Sequence, residues 1–404
     1  MTTFSGPDEA IDALAARLTT VAAELGTLAS GRVLAEPILL DRDSPAADVS
    51  AMDGYAVRMN DLVSDEPVPV VGEVQPGQSP PAMPAHGVLR IFTGAVLPPG
   101  AEAVVKREDA QEQPTAVRWL PAVRALTAGA NIRRQGENGR AGTEALAAGT
   151  QLHAASIATA VSFGAARALL HHPVRCSVIV TGNELLGVSD SPQPWQLRDS
   201  NGPTVAAMLS EHPWLRLEQQ ARCGDDRQHL QTQLAEALQH SDAVILTGGV
   251  SKGDYDHVPG VIADVGGEII FHRLPIRPGQ PILGAVTAGG QLILGLPGNP
   301  VSAACGMRRF GLPLLRKLSG NQQWQSRPLS VLVQNPGEKT LPLHWMWLAR
   351  LTRPWGETGA IAAELVASQG SGDLVALGAS DGFIEQPPGA GGAGPWPVYR
   401  WRHA

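Results

Sequence analysis

Cysteine is scarce in this 404-residue chain: Cys176, Cys223 and Cys305 stand far apart and form no CxxC pair. That excludes a disulfide framework and a thiolate metal centre, and it fits a reducing cytoplasm. No histidines have zinc-ligand spacing, since His171 and His172 are adjacent and HExxH does not occur. Positive charge is not in excess. The 31 Lys and Arg against 38 Asp and Glu leave a net charge of −7, which argues against nucleic acid or an anionic membrane as partner. No stretch approaches the ~18 continuous apolar residues of a membrane span. Residues 1–12 lack a basic segment followed by an apolar core, so no signal peptide is expected.

Glycine (45) and proline (33) are plentiful and predict many turns and short strands. Apolar residues Ile11, Leu14, Leu18, Val21 and Leu25 recur at helical spacing over 7–25, before Gly26. Residues 32–40 read as an edge strand broken by Pro37. Across 41–132, runs such as Val68–Val71, Val88–Phe92 and Ala103–Lys106 alternate with Pro/Gly turns, the spacing of a small all-β domain. From Val174 strand and helix alternate up to Leu318, which predicts a mainly parallel sheet with helices on both faces. Beyond Gly320 the chain is β-like again and holds six of the nine tryptophans, which predicts a small barrel with an aromatic core.

Three turns leave strand ends in the 174–318 region: Thr181–Glu184, Thr247–Asp256 and Gly295–Pro300. They are expected to converge on one edge of the sheet, where open α/β sheets bind ligands. Neither GxxxxGK[ST] nor GxGxxG occurs in this region, so the common nucleotide fingerprints are excluded. The paired glycines of Thr247-Gly-Gly-Val-Ser251 leave backbone N–H groups open to an anion. Glu184, Asp199, Asp225, Asp226, Asp254 and Asp256 can hold a divalent cation beside a phosphate. An ordinary tight turn with solvated aspartates accounts for the same residues, and helix capping accounts for Asp225 and Asp226. Arg273 and Arg277 can grip an oxyanion or stand solvated. Asn299 and Pro300 are read as the N-cap and first residue of the last helix of this region.

Six segments taken together, Ser50-Ala-Met-Asp-Gly-Tyr-Ala-Val57, Arg90-Ile-Phe-Thr-Gly94, Asn131-Ile-Arg-Arg-Gln-Gly-Glu137, Thr181-Gly-Asn-Glu184, Thr247–Ser251 with Gly253-Asp-Tyr-Asp256, and Leu296-Pro-Gly-Asn-Pro-Val-Ser302, resemble the molybdopterin molybdenumtransferase family, related to the C-terminal part of gephyrin. The segments occur in family order over nearly the whole chain. The resemblance implies a multidomain α/β plus all-β protein with an extended domain (1–44 and 131–171), an inserted β-domain (45–130), a molybdopterin adenylyltransferase-like α/β domain (172–320) and a C-terminal β-barrel (321–404). It also implies a homodimer with the active site in a cleft between subunits.

The implied reaction inserts molybdate into adenylylated molybdopterin with Mg²⁺ and releases AMP, and molybdopterin adenylyltransferase is the implied upstream partner. A non-catalytic paralogue that stores or presents cofactor is the alternative. Carried over by motif, Asp256, Glu184 and Asp53 are catalytic, with Glu184 and Asp256 as metal ligands. Thr93, Thr181, Gly182, Asp225, Gly248, Gly249, Ser251, Arg273, Arg277, Pro297 and Pro300 bind substrate. The chain departs from the family at Asn138 and Asn183, where acids are common, and at Arg273, Arg277 and Gln280, where lysines are common.

Overall fold

The computed structural model describes residues 4–251, 256–337, 339–355 and 360–402. The chain divides into two compact units: the described parts of residues 1–36, 148–157 and 167–404, and residues 37–147 with 158–166.

The first unit is built on a six-stranded sheet. In chain order its strands are β1 (Val174–Thr181), β2 (Leu215–Cys223), β3 (Ala243–Thr247), β4 (Glu268–His272), β5 (Leu283–Val286) and β6 (Leu292–Leu296), arranged β2-β1-β3-β6-β5-β4. Strands β2, β1, β3 and β6 pair in parallel, whereas β5 runs against both its neighbours. The sheet is thus mainly parallel, as expected, with one reversed strand that the sequence did not reveal. The interior strands are continuous apolar runs because both faces are covered. Val178, Val180 and Ile245 pack on one side with Val205 and Leu209, whereas Ile179, Val244 and Leu246 pack on the other with Leu230, Leu234 and Val261. The first face carries helix α1 (Asn201–Ser210) and the second carries α2 (Arg227–His240) and α3 (Val258–Asp264). A last helix, α4 (Pro300–Gly306), continues through a π-helical turn at Met307–Gly311 into α5 (Leu312–Leu318). It too packs on the first face, through Val301, Phe310 and Leu314.

Strands Leu329–Val333, His344–Trp355, Ala360–Leu365, Gly382–Gln386 and Trp396–Arg400 close into a five-stranded barrel. Its core is aliphatic, formed by Val331, Val333, Ala349, Ala363, Ile384 and Val398. Trp347 and Trp396 lie only partly buried against it, and Trp345 stacks on Trp347 at 3.9 Å. The expected aromatic core is therefore corrected: a barrel this narrow fills with small branched side chains and leaves the indoles at its margin.

The expected helix over 7–25 also requires correction, since helix Pro7–Ala15 stops early and Ala23–Thr27 is a strand paired with Arg167–His171. Thr19 and Val21 donate their backbone N–H groups to the carbonyls of Gly290 and Leu318. Tertiary pairing thus overrides a helical spacing that continues past the helix end.

The second unit holds a six-stranded sheet in the order Ala103–Lys106, Gly54–Val57, Val88–Ile91, Val68–Val74, Ala116–Trp119, Ala110–Glu112. Its strands bury Tyr55, Val57 and Val105 on one side and Ala56, Ile91 and Val104 on the other. This is the all-β pattern that the alternating short runs predict.

Candidate active site

Three parallel strands, β1, β3 and β6, end side by side, and the loops that leave them line a cleft of about 830 Å³. Of the expected site residues, Thr181, Gly182, Glu184, Asp225, Gly248, Gly249, Ser251, Asp256, Pro297 and Pro300 all face it. Lys252–Tyr255, including Gly253 and Asp254 of the motif, lie outside the described residues.

The backbone of the cleft floor requires glycine. Gly248 and Gly249 have φ of +91° and +65°, and a Cβ on Gly248 would stand 2.6 Å from both the carbonyl and the hydroxyl oxygen of Thr181. Only glycine accepts that dihedral and that approach together. Thr181 is buried at the end of β1, and its hydroxyl donates to the carbonyl of Thr247 at 3.3 Å, tying two of the loops. The third loop is held by Asn201, whose Nδ2 donates to the carbonyl of Gly298 at 2.8 Å. Asn299 is the N-cap of α4 and Pro300 opens it, as expected, but the Asn299 side chain makes no capping bond. Its Nδ2 donates instead to Ser371 Oγ at 2.9 Å, and Ser371 in turn accepts the backbone N–H of Val301. A barrel segment far away in sequence thereby fixes the loop, and Gly372 and Leu374 of that segment join the cleft wall.

The carboxylates divide into two roles. Asp226 caps α2 by accepting the His229 N–H at 2.6 Å, so its assignment to capping holds. Buried Asp199 accepts the Gly202 N–H at 2.9 Å and shapes the start of α1. Asp225 exchanges bonds with Asn183: the Asn183 N–H donates to Asp225 Oδ2 and the Asp225 N–H donates to Asn183 Oδ1, each at 3.1 Å. Asn183 thus supplies the acceptor an aspartate would, without setting a second negative charge beside Asp225. Glu184, Asp225 and Asp256 remain as carboxylates lining the cleft. Among the described residues no three His, Cys, Asp or Glu groups gather closely enough to hold a metal by themselves. Carboxylate oxygens still suit Mg²⁺, which takes one or two carboxylates and completes its octahedron with phosphate oxygens and water. Glu184 and Asp256 supply carboxylates of that kind to the cleft wall.

Ser251 lies in Gly249-Val-Ser-Lys-Gly253, a literal G-x-S-x-G. Strand β3 ends four residues earlier, at Thr247, so the serine is not perched on a strand-to-helix elbow. His272 Nε2 is engaged with the Val250 carbonyl at 2.8 Å.

Neither Arg273 nor Arg277 is among the described residues of the cleft wall. Arg273 occupies a left-handed conformation (φ +69°), and the Arg277 guanidinium lies over the Trp345 ring at 5.6 Å. Asp53 and Thr93 belong to the second unit, where the Thr93 N–H and hydroxyl both donate to Asp53 Oδ1, at 2.8 and 2.7 Å. Those two bonds, the hydroxyl's foremost, hold the Asp53 carboxyl below its ordinary range, with Arg107 and Arg90 adding positive charge. Asn138, in the same unit, accepts from Arg133 and donates to Ser44, again doing neutrally what an acid would do toward the arginine.

Sequence reasoning missed Gln196, Leu197, Arg198 and Ser200, which form one wall of the cleft. Arg198 is held by donation to the Asp190 carbonyl at 3.0 Å and is the one described cation of the wall. The available signal was the polar Arg198-Asp-Ser-Asn201 run directly before a helix.

Comparison with known proteins shows which family the chain is similar to. Residues 6–164 match the MoeA N-terminal region (domain I and II), and residues 177–317 match a probable molybdopterin binding domain. Molybdopterin molybdenumtransferase of Nostoc is 35% identical over 322 residues, 77% of this chain and 72% of that protein. The Bacillus subtilis protein of the same name is 30% identical over 368 residues, 89% of this chain and 84% of its own length. The crystal structure of a molybdopterin biosynthesis MoeA protein from Pyrococcus horikoshii superposes with a TM-score of 0.79, covering 98% of this chain and 99% of that one at 24% identity, and so shares the fold. Since both domain matches and the full-length relatives agree, the chain belongs to the MoeA family of molybdopterin molybdenumtransferases.

Proposed function

We propose that the loop cleft binds adenylylated molybdopterin and that the chain transfers molybdenum from molybdate to the dithiolene, with release of AMP. The family is one of transferases in molybdenum-cofactor biosynthesis, and this chain is such an enzyme. The observation that carries the finer reading is the convergence of three loops at the carboxyl ends of parallel strands, with Thr181, Gly248, Gly249 and Ser251 along one cleft. Strand ends of this kind are where open α/β sheets bind phosphate-bearing ligands; the Gly248 N–H, expected from the sequence to be open to an anion, is instead donated to the Leu296 carbonyl at 3.0 Å. Ser251 adds a hydroxyl, Arg198 a positive charge, and Pro297 and Pro300 fix the shape of the last loop.

Glu184 and Asp256 would hold Mg²⁺, which when bound neutralises charge on the phosphate oxygens. Asp225, held by Asn183, orients the loop that carries Glu184. Asp53 is assigned to the same reaction on the family pattern, with Thr93 keeping it ionised. Arg273 and Arg277 keep their proposed part in substrate binding on the same pattern alone. The enzyme is proposed to act in the cytoplasm as a homodimer supplied by molybdopterin adenylyltransferase, with the four domains bounded at residues 44, 130, 171 and 320. Among the described residues no helix is long and apolar enough to cross a membrane.

The test is reconstitution of purified protein with adenylylated molybdopterin, molybdate and Mg²⁺, followed by quantifying AMP. The proposal expects AMP in proportion to substrate. Tight substrate binding without AMP would mark a storage or presenting protein.

A further inference from the structure

Arg308 and Arg309 are neighbours on the π-helical turn with opposite surroundings. Arg309 is 3% exposed and fully matched: its Nε donates to Glu385 Oε2 and its Nη2 to Asp8 Oδ1, each at 2.7 Å. Arg308 donates its Nε to the Arg400 carbonyl at 2.6 Å, and no ion pair joins it to an Asp or Glu among the described residues. It faces a second cavity, of about 620 Å³, that shares no lining residue with the loop cleft.

Five arginines line that cavity (Arg308, Arg316, Arg327, Arg400 and Arg402) together with His153 and several amide side chains. Among the described lining residues there is no Asp or Glu. In a chain of net charge −7 such a concentration is not an average sample of the surface. The Arg316 guanidinium also lies over the Trp214 ring at 5.9 Å, an arrangement that orients it. Burial, and after it the Arg316 charge, push the Arg308 guanidinium down to about 10, against the smaller opposing effects of Tyr399 and Glu211. Arg316 is likewise lowered by burial. Arginines from a helix, a barrel strand and the connecting segment thus line one cavity, and guanidinium groups suit the several oxygens of a phosphate-type group.

We propose that this cavity is a binding site for a small, multiply charged oxyanion, a phosphate or pyrophosphate group either free or carried on a small metabolite, separate from the transferase cleft. The full-length protein is titrated calorimetrically at low ionic strength with inorganic pyrophosphate for the free group and ribose 5-phosphate for the carried one. Wild type is expected to bind at least one of them, more weakly as salt is added. The Arg316→Gln/Arg327→Gln double variant is expected to bind at least tenfold more weakly. Should that variant fold poorly, Arg327→Gln with Arg402→Gln, both exposed, makes the same measurement with the same expectation. A wild type that binds neither probe overturns the proposal. So does a variant that binds as tightly as wild type, because the anion then sits elsewhere, the loop cleft included.

Discussion

At the scale of single residues, the account rests on backbone that only glycine can supply and on carboxylates with assigned neighbours. A Cβ at position 248 meets two Thr181 oxygens and a positive φ at once. Gly248→Ala is therefore expected to cost about 1–3 kcal/mol of stability, the range for a strained backbone position, and most of the activity. Denaturant melts and the AMP assay check this, and a variant melting and turning over like wild type contradicts it.

Asp53 offers a test by titration. Its folded carboxyl is held below the ordinary value chiefly by the Thr93 hydroxyl, so its ionised form is favoured above that value and is lost only as pH falls through the lowered one. Thr93→Ala removes the hydroxyl and keeps the amide, so an NMR titration should show the Asp53 pKa moving up toward the ordinary range. An unmoved pKa would assign the depression to the amide and the arginines.

At this scale much was legible in the sequence. Gly248, Gly249 and Thr181 could be placed because paired glycines directly after a β-branched run mark a strand end. The exchange between Asn183 and Asp225, and the barrel's grip on Asn299 through Ser371, could not be read, because each joins residues 42 or more apart in sequence.

Among secondary-structure elements, the sheet's inner strands were legible because burial on both faces makes them uniformly apolar. Strand β5 was not. It is short, and Gly284 interrupts it where the Phe271 ring leaves no room for a side chain. The end of the first helix was hidden by apolar spacing that continues into Leu25, a residue 56% exposed on the following strand.

The joint between the last helix and the barrel is an ion network around buried Arg309 and Glu385: Arg309 with Glu385 and the exposed Asp8, and His344 Nδ1 on Glu385 Oε1 at 2.7 Å. Burial alone would raise the Glu385 carboxyl, but the His344 hydrogen bond and the Arg309 charge outweigh it and hold it below the usual range. Its stabilising contribution is thus complete above the ordinary carboxylate range and is lost as pH falls through the lowered value. Glu385→Gln leaves Arg309 buried without its main partner and should cost about 3–5 kcal/mol near neutral pH. Because the titrating group is gone, the difference from wild type should shrink at acid pH. Chemical denaturation at several pH values measures it, and a pH-independent difference contradicts the assignment.

For the molecule as a whole, the sequence indicated an α/β centre flanked by β-rich parts, because the spacing of apolar residues changes near positions 41, 174 and 320. Light scattering is expected to give twice the chain mass of 42.4 kDa. A strictly monomeric protein would contradict the dimer carried over from the family. The central claim is that the glycine-floored cleft, with its carboxylates, performs the transfer. The most direct measurement is AMP release from adenylylated molybdopterin in the presence of molybdate and Mg²⁺, comparing wild type with Asp256→Ala. The account predicts turnover by wild type and a loss of at least a hundredfold in the variant, with the fold intact. Equal AMP release by the two proteins would contradict it.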